Sequence, residues 1–342
     1  GLAGDALTTG FGNTALGHAA LSSEDAGDRS VAIGYFALNA QNVSGGGNAY
    51  NVAVGYGAGE SVSTGVQNTI MGGLAGDALT TGQYNTAIGY LTLSTEDTGN
   101  QNVAIGRAAL MTLNYDGDGN NVAVGNNAGA SATTAIQSTF IGAFAGDAVT
   151  TGLANTAIGY NALSGEDGHG YNTAVGHAAL KVQDAGANAY NVAVGASAGL
   201  SVTTGIYNTL VGGLAGDALT IGNSNVALGY AALTSEVQGD RNVAVGVAAL
   251  QSQSNSSDVD AYNTAVGYYA GQQITTATQN TLIGGLAGDA LTTGGTNVAV
   301  GYNALSAEDT GGKNTAIGWN AMTNLDAGGN GNNVSVGFNS SA

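Results

Sequence analysis

The 342-residue chain has no cysteine and no proline, and only five basic residues. Without cysteine there is no disulfide framework and no thiolate metal site. Without proline a collagen helix is excluded, although glycine supplies 59 residues. Arg29, Arg107, Lys181, Arg241 and Lys313 stand against 23 acids, a net charge of −18. That balance excludes a nucleic-acid binder, because tracking phosphates rests on Lys and Arg. Charged residues make up 8% of the chain, against about a quarter in an ordinary soluble domain. No apolar run approaches the roughly 18–20 residues of a membrane helix, so no membrane insertion is expected in this segment. With neither a signal peptide nor an initiator Met, the sequence reads as a processed chain or part of a longer one.

What is present is a repeat. A five-residue word, Asn, Thr or Val, Ala, an aliphatic, then Gly, recurs as in Asn85-Thr86-Ala87-Ile88-Gly89 and Asn191-Val192-Ala193-Val194-Gly195. Successive words are 17 residues apart, except that every fourth step is 19 or 21. Position 1 departs from Asn only at Ser30 and Ser138, and position 5 is always Gly. The phrase Gly-Leu-Ala-Gly-Asp-Ala begins at Gly1, Gly73, Gly213 and Gly285, and varies at Ala143-Phe144. Four words therefore form a super-repeat of about 71 residues, with boundaries near 1–72, 73–142, 143–212, 213–284 and 285–342.

A period of 17 residues is too short for helical repeats and suits one coil of a solenoid. Alternation within the word is the pattern of a strand with one buried face. The expectation is an all-β fold, a single continuous parallel β-solenoid (β-roll) of about 19 coils. Each coil would hold two short strands, the second around pairs such as Ala162-Leu163 or Ala198-Gly199. Gly at position 5 fits a corner needing positive φ or close backbone approach. The Asn column would stack coil on coil through its amides.

If positions 2 and 4 point inward, position 3 forms an outward stripe of Ala with Ile70, Phe140, Leu210 and Leu282 every fourth coil. That stripe would be a self-association face. The alternative is a wider core in which position 3 is internal.

The words Asn155-Thr156-Ala157-Ile158-Gly159-Tyr160-Asn161-Ala162-Leu163 and Asn297-Val298-Ala299-Val300-Gly301-Tyr302-Asn303-Ala304-Leu305 resemble the head repeats of trimeric autotransporter adhesins. They are equally similar to repeats in the shafts of bacteriophage tail fibres. The resemblance covers essentially the whole chain and implies a left-handed β-roll that trimerises and projects a binding surface from a cell or virion.

Carboxylates recur in register. Asp77 and Asp147 each precede, by one coil, an acidic pair: Glu96-Asp97 and Glu166-Asp167. Converging carboxylates and turn carbonyls suit Ca²⁺, and Asp116 and Asp118 open a calcium-loop-like run. A solvated acidic ridge explains the same residues. Tyr90, Tyr160, Tyr230 and Tyr302 follow the word's Gly, either as a glycan-stacking strip or as a column packed on itself. Longer loops near 39–50, 111–120, 181–190, 251–262 and 323–332 are recognition loops or tolerated slack. Paired threonines such as Thr80-Thr81 and Thr292-Thr293 raise an ice-binding reading. The three histidines, His18, His169 and His177, recur with no Ser or carboxylate partner, so no enzyme is expected. The expectation is an extracellular structural fibre or adhesin shaft on a cell or virion surface, a homotrimer or filament. Contact with a host-surface glycan or protein, or binding of glycan, Ca²⁺ or ice by the solenoid itself, is the alternative.

Overall fold

The computed structural model of the chain describes residues 2–43, 45–326 and 328–341. Gly1, Ser44, Ala327 and Ala342 lie outside the described residues, and with them the start of the first phrase and one position each in the loops at 39–50 and 323–332. The chain divides into two compact units, Gly1–Tyr171 and Asn172–Ala342. Among the described residues there is no helix.

The fold is the expected parallel β-solenoid. In the first unit nine three-residue strands, from Thr14–Leu16 to Thr156–Ile158, each coincide with positions 2 to 4 of a word. In the second, ten such strands run from Thr173–Val175 to Val334–Val336. Equivalent residues sit over one another in parallel register, as Thr86 over Val103, Ala87 over Ala104 and Ile88 over Ile105. Rungs such as Gly106 N–H to Ile88 C=O at 2.7 Å close the ladder. The strands stop at position 5, where Gly89 has φ 138° and a Cβ would run into the carbonyl of Gly106 one coil on.

Two expectations are corrected. The Ala-Leu segments are turns, not second strands. Leu93 and Leu110 lie at φ 52° and 47°, a left-handed conformation that no strand tolerates and that costs an L-residue about 1–2 kcal/mol. Each turn is held from the next coil, as Leu93 N–H donates to Ala109 C=O at 3.0 Å.

The second correction concerns the stripe. Ile70, Phe140, Leu210 and Leu282 are fully buried, as are the alanines of position 3 apart from Ala15 in the first coil, while positions 2 and 4 face outward and are half-buried or exposed. Position 3 is internal and cannot form a self-association face. The reason is volume. In the first two coil types a position-3 Ala goes with Leu at position 9, as Ala104 with Leu110, or with Met322 in one copy. In the fourth type the large residue at position 3 goes with Gly at position 9 of its own coil and of the coil before. A Cβ on Gly129 would lie 2.6 Å from Cδ2 of Phe140 and 2.9 Å from that of Leu110. In the second unit a Cβ on Gly199 would lie 2.8 Å from Leu210 and 2.9 Å from Leu180. The four-coil period is thus a packing code in which large and small residues exchange places to keep the interior full.

The Asn column is a ladder, but it runs mainly through the backbone. Asn68 Oδ1 accepts from the N–H of Asn85 at 2.9 Å, and its Nδ2 donates to Gly82 C=O at 2.8 Å. Direct amide–amide contacts are intermittent, as from Asn121 Nδ2 to Asn102 Oδ1 at 3.1 Å.

Candidate functional site

The outward side of each strand ladder carries four columns: position 0 (the residue before the word), then positions 2, 4 and 6. The strand's period of two puts positions 2 and 4 on one face with 3 turned inward; positions 0 (left-handed, as at Tyr84 with φ 59°) and 6 (beyond the corner glycine) flank it. Position 2 is Thr or Val and position 4 Ile, Val, Leu or Met. Large apolar side chains are exposed along it: Met71 40%, Leu228 45% and Ile283 40%. From position 0 to position 6 no copy of the repeat contains an acid, although the chain has 23. Four of the five basic residues do lie there: Arg29, Arg107, Arg241 and Lys313. The carboxylates come from outside these positions, and in the second unit that of Asp260 reaches the edge of the face, pairing with Arg241 and accepting from Tyr262 Oη at 3.3 Å.

Positions 0 and 6 also hold 13 of the 15 tyrosines, all but Tyr115 and Tyr269. Tyr90, Tyr160, Tyr230 and Tyr302 are about half-exposed. Tyr90, Tyr230 and Tyr302 each lie over a glycine of the preceding coil, Gly73, Gly213 and Gly285. Several rings on neighbouring coils stack. In the first unit His18, Tyr35 and Tyr56 follow at 5.1 and 5.4 Å with planes within 14°. In the second, Tyr302, Trp319 and Phe338 follow at 6.2 and 4.8 Å. Stacked rings cover one another's faces and present edges outward.

The acidic residues do two separate things. The Glu of the acidic pair occupies position 12, an inward column shared with Leu79 and Val149, and Glu24, Glu96, Glu166, Glu236 and Glu308 are fully buried. Glu24 accepts Gly27 N–H at 2.6 Å, Gln41 Nε2 at 2.9 Å and Val43 N–H at 3.2 Å. Glu236 is held likewise by Gly239 N–H at 2.8 Å and Gln253 Nε2 at 2.7 Å. Where the next coil offers Leu113 in place of Gln, Glu96 is held by backbone N–H groups, among them those of Gly99 (2.7 Å) and Tyr115 (3.1 Å). Burial pushes its carboxyl above the usual range. Each of these Glu residues ties a turn of its own coil, and Glu24, Glu96 and Glu236 also tie the loop that follows. The solvated-ridge reading fails for them.

Asp77 and Asp147 are half-buried. Burial raises both carboxyls, with repulsion from Glu60 adding to the effect at Asp77. Their Oδ1 atoms, and that of Asp97, are buried and accept no hydrogen bond. Asp167 is exposed beside Glu166, and both approach His169 Nδ1, at 3.9 and 3.3 Å. Asp77 and Glu96 enter no common cluster of three ligand-type groups among the described residues, whereas Glu166 and Asp167 bring ligand atoms within 4.8 Å of those of His169 and Asp184. Asp116 and Asp118 do not converge on a loop centre: Asp116 Oδ1 accepts from Thr98 Oγ1 at 2.6 Å, and Asp118 Oδ1 from Asn100 Nδ2 at 3.3 Å. In the second unit Glu308, Asp309 and Asp326 bring carboxylate oxygens within 4.8 Å of one another.

Three of the longer loops hydrogen-bond to a neighbouring coil. In the first unit Asp28 N–H donates to Gly47 C=O, and Ala49 N–H to Asp28 C=O, both at 3.0 Å. Asn100 repeats the pattern with Gly117 and Gly119. In the second unit the strands Gly239–Asp240 and Val259–Asp260 pair in parallel. The paired threonines are structural as well: Thr80 Oγ1 donates to Asp97 C=O and Thr292 Oγ1 to Asp309 C=O, each at 2.9 Å.

Sequence reasoning missed the strand face and the buried position-12 glutamates. The signals were present: an acid-free band through every word, and a Glu in register with Leu79 and Val149. No protein-family model, curated protein or solved structure matches the chain.

Proposed function

We propose that the chain is a structural fibre element whose strand face, positions 2 and 4 flanked by 0 and 6, docks onto the same face of further copies. The observation that carries this reading is that positions 0 to 6 of every copy contain no acid in a chain that has 23. A second copy of so acidic a chain is repelled least there. The face is also apolar, and ten strands with two outward side chains each give the second unit 20, comparable with the roughly 20–30 residues per side of a standard interface. The resemblance to adhesin heads and tail-fibre shafts supports a homotrimeric or filamentous shaft outside a cell or on a virion. The half-exposed tyrosine column keeps open a second reading, a glycan-binding strip on the same shaft.

Sedimentation equilibrium tests the association. Wild-type chain is expected to sediment as a defined oligomer. Ile88→Lys with Ile105→Lys puts two unpaired ammonium groups into the interface, at least about 3 kcal/mol, and is expected to weaken association more than about a hundredfold. Wild-type chain that remains single at high concentration overturns the reading.

A further inference from the structure

The two tyrosine columns present reactive groups in pairs. Tyr35 and Tyr56 stack at 5.4 Å with planes 8° apart, and Tyr190 and Tyr207 at 5.9 Å and 20°. The four rings are 42%, 59%, 48% and 55% exposed. Their spacing is fixed by the ladder beneath, because each pair occupies equivalent positions of neighbouring coils. Tyr35 is further held by His18 on its other face, at 5.1 Å. The chain has no cysteine, so tyrosine is the residue through which oxidation would cross-link it.

We propose that Tyr35–Tyr56 and Tyr190–Tyr207 are sites of oxidative dityrosine formation, with a peroxide and a haem-type peroxidase as co-reactants. Each phenol gives up one electron and its proton. The two phenoxyl radicals couple through ring carbons ortho to oxygen, so that one C–C bond forms. The hydrogen on each joined carbon then moves to its oxygen and both rings regain aromaticity. Two tyrosines lose two electrons and two protons in all, and one hydrogen peroxide accepts them and becomes two waters. The product staples one coil to the next across 21 residues in the first unit and 17 in the second, constraining the unfolded chain as a disulfide does.

Purified chain is treated with horseradish peroxidase and hydrogen peroxide, then digested, and the peptides are mapped by mass spectrometry. Peptides joined at Tyr35–Tyr56 and at Tyr190–Tyr207, two hydrogens lighter than their sum, are expected, with dityrosine fluorescence rising in parallel. Their yield should be unchanged on tenfold dilution, since both partners belong to one chain. This separates the proposal from self-association, which dilution weakens. Tyr56→Phe keeps the stacked ring and removes the phenol; it should abolish the first link and leave the second. The proposal is overturned if neither link forms while Tyr115, outside the columns, reacts, or if the links fall in proportion to concentration.

Discussion

Phe140→Ala is expected to destabilise the first unit by about 3–5 kcal/mol, the cost of truncating a fully enclosed Phe. The loss should be large because the neighbours cannot close the gap. Position 9 is Gly in this coil and the one before (Gly146 and Gly129), and both glycines abut the Phe140 ring. The same geometry supplies a rescue. Phe140→Ala combined with Gly146→Leu recreates the Ala–Leu combination of Ala104 and Leu110 at a position whose backbone is already left-handed, φ 56° at Gly146 against 47° at Leu110. Denaturant unfolding should show the double variant recovering part of the deficit. Gly146→Leu alone should destabilise, because leucine and phenylalanine then claim one space.

Asn68→Ala is expected to cost about 2–6 kcal/mol, since it strands a buried N–H at Asn85 and a buried C=O at Gly82, each worth about 1–3 kcal/mol unsatisfied. Asn68→Ser should cost less. Ser138 shows why: its Oγ accepts Asn155 N–H at 3.2 Å, so a hydroxyl replaces the acceptor half of the amide. Thermal melts of the three proteins give the order directly.

Much of the fold is legible in the sequence, because each coil multiplies one word. The strand at Thr86–Ile88, the corner at Gly89 and the Asn column follow from spacing and from the residue types a tight parallel ladder accepts. Which face is inside does not follow from alternation, since a period of two is symmetric between faces. Preferring large residues for the interior inverts Ala87 and Ile88. The reciprocal exchange between positions 3 and 9, Ala with Leu and Phe140 with Gly, carries the missing information, because only side chains sharing one interior need compensate in volume. The turns were harder to read. Leu93 and Leu110 are left-handed without being Gly or Asn, and nothing in their side chains announces it; the ladder's hydrogen bonds impose it. For the candidate site, the acids were legible as a column and misjudged in direction. Glu96 hydrogen-bonds turn amides in the core, where a carboxylate is tolerated only when so paired.

The inside–outside assignment underlies the packing code, the acid-free face and the tyrosine columns alike, and the absence of native cysteine makes it directly measurable. Val103→Cys and Ala104→Cys are each introduced into the Ile88→Lys, Ile105→Lys background, and reaction with a soluble thiol reagent is timed. The Val103→Cys thiol should react near the free-thiol rate. The Ala104→Cys thiol should react at least about a hundredfold more slowly, as about 2.8 kcal/mol of local opening requires. Rapid reaction of Ala104→Cys with protection of Val103→Cys would contradict the assignment.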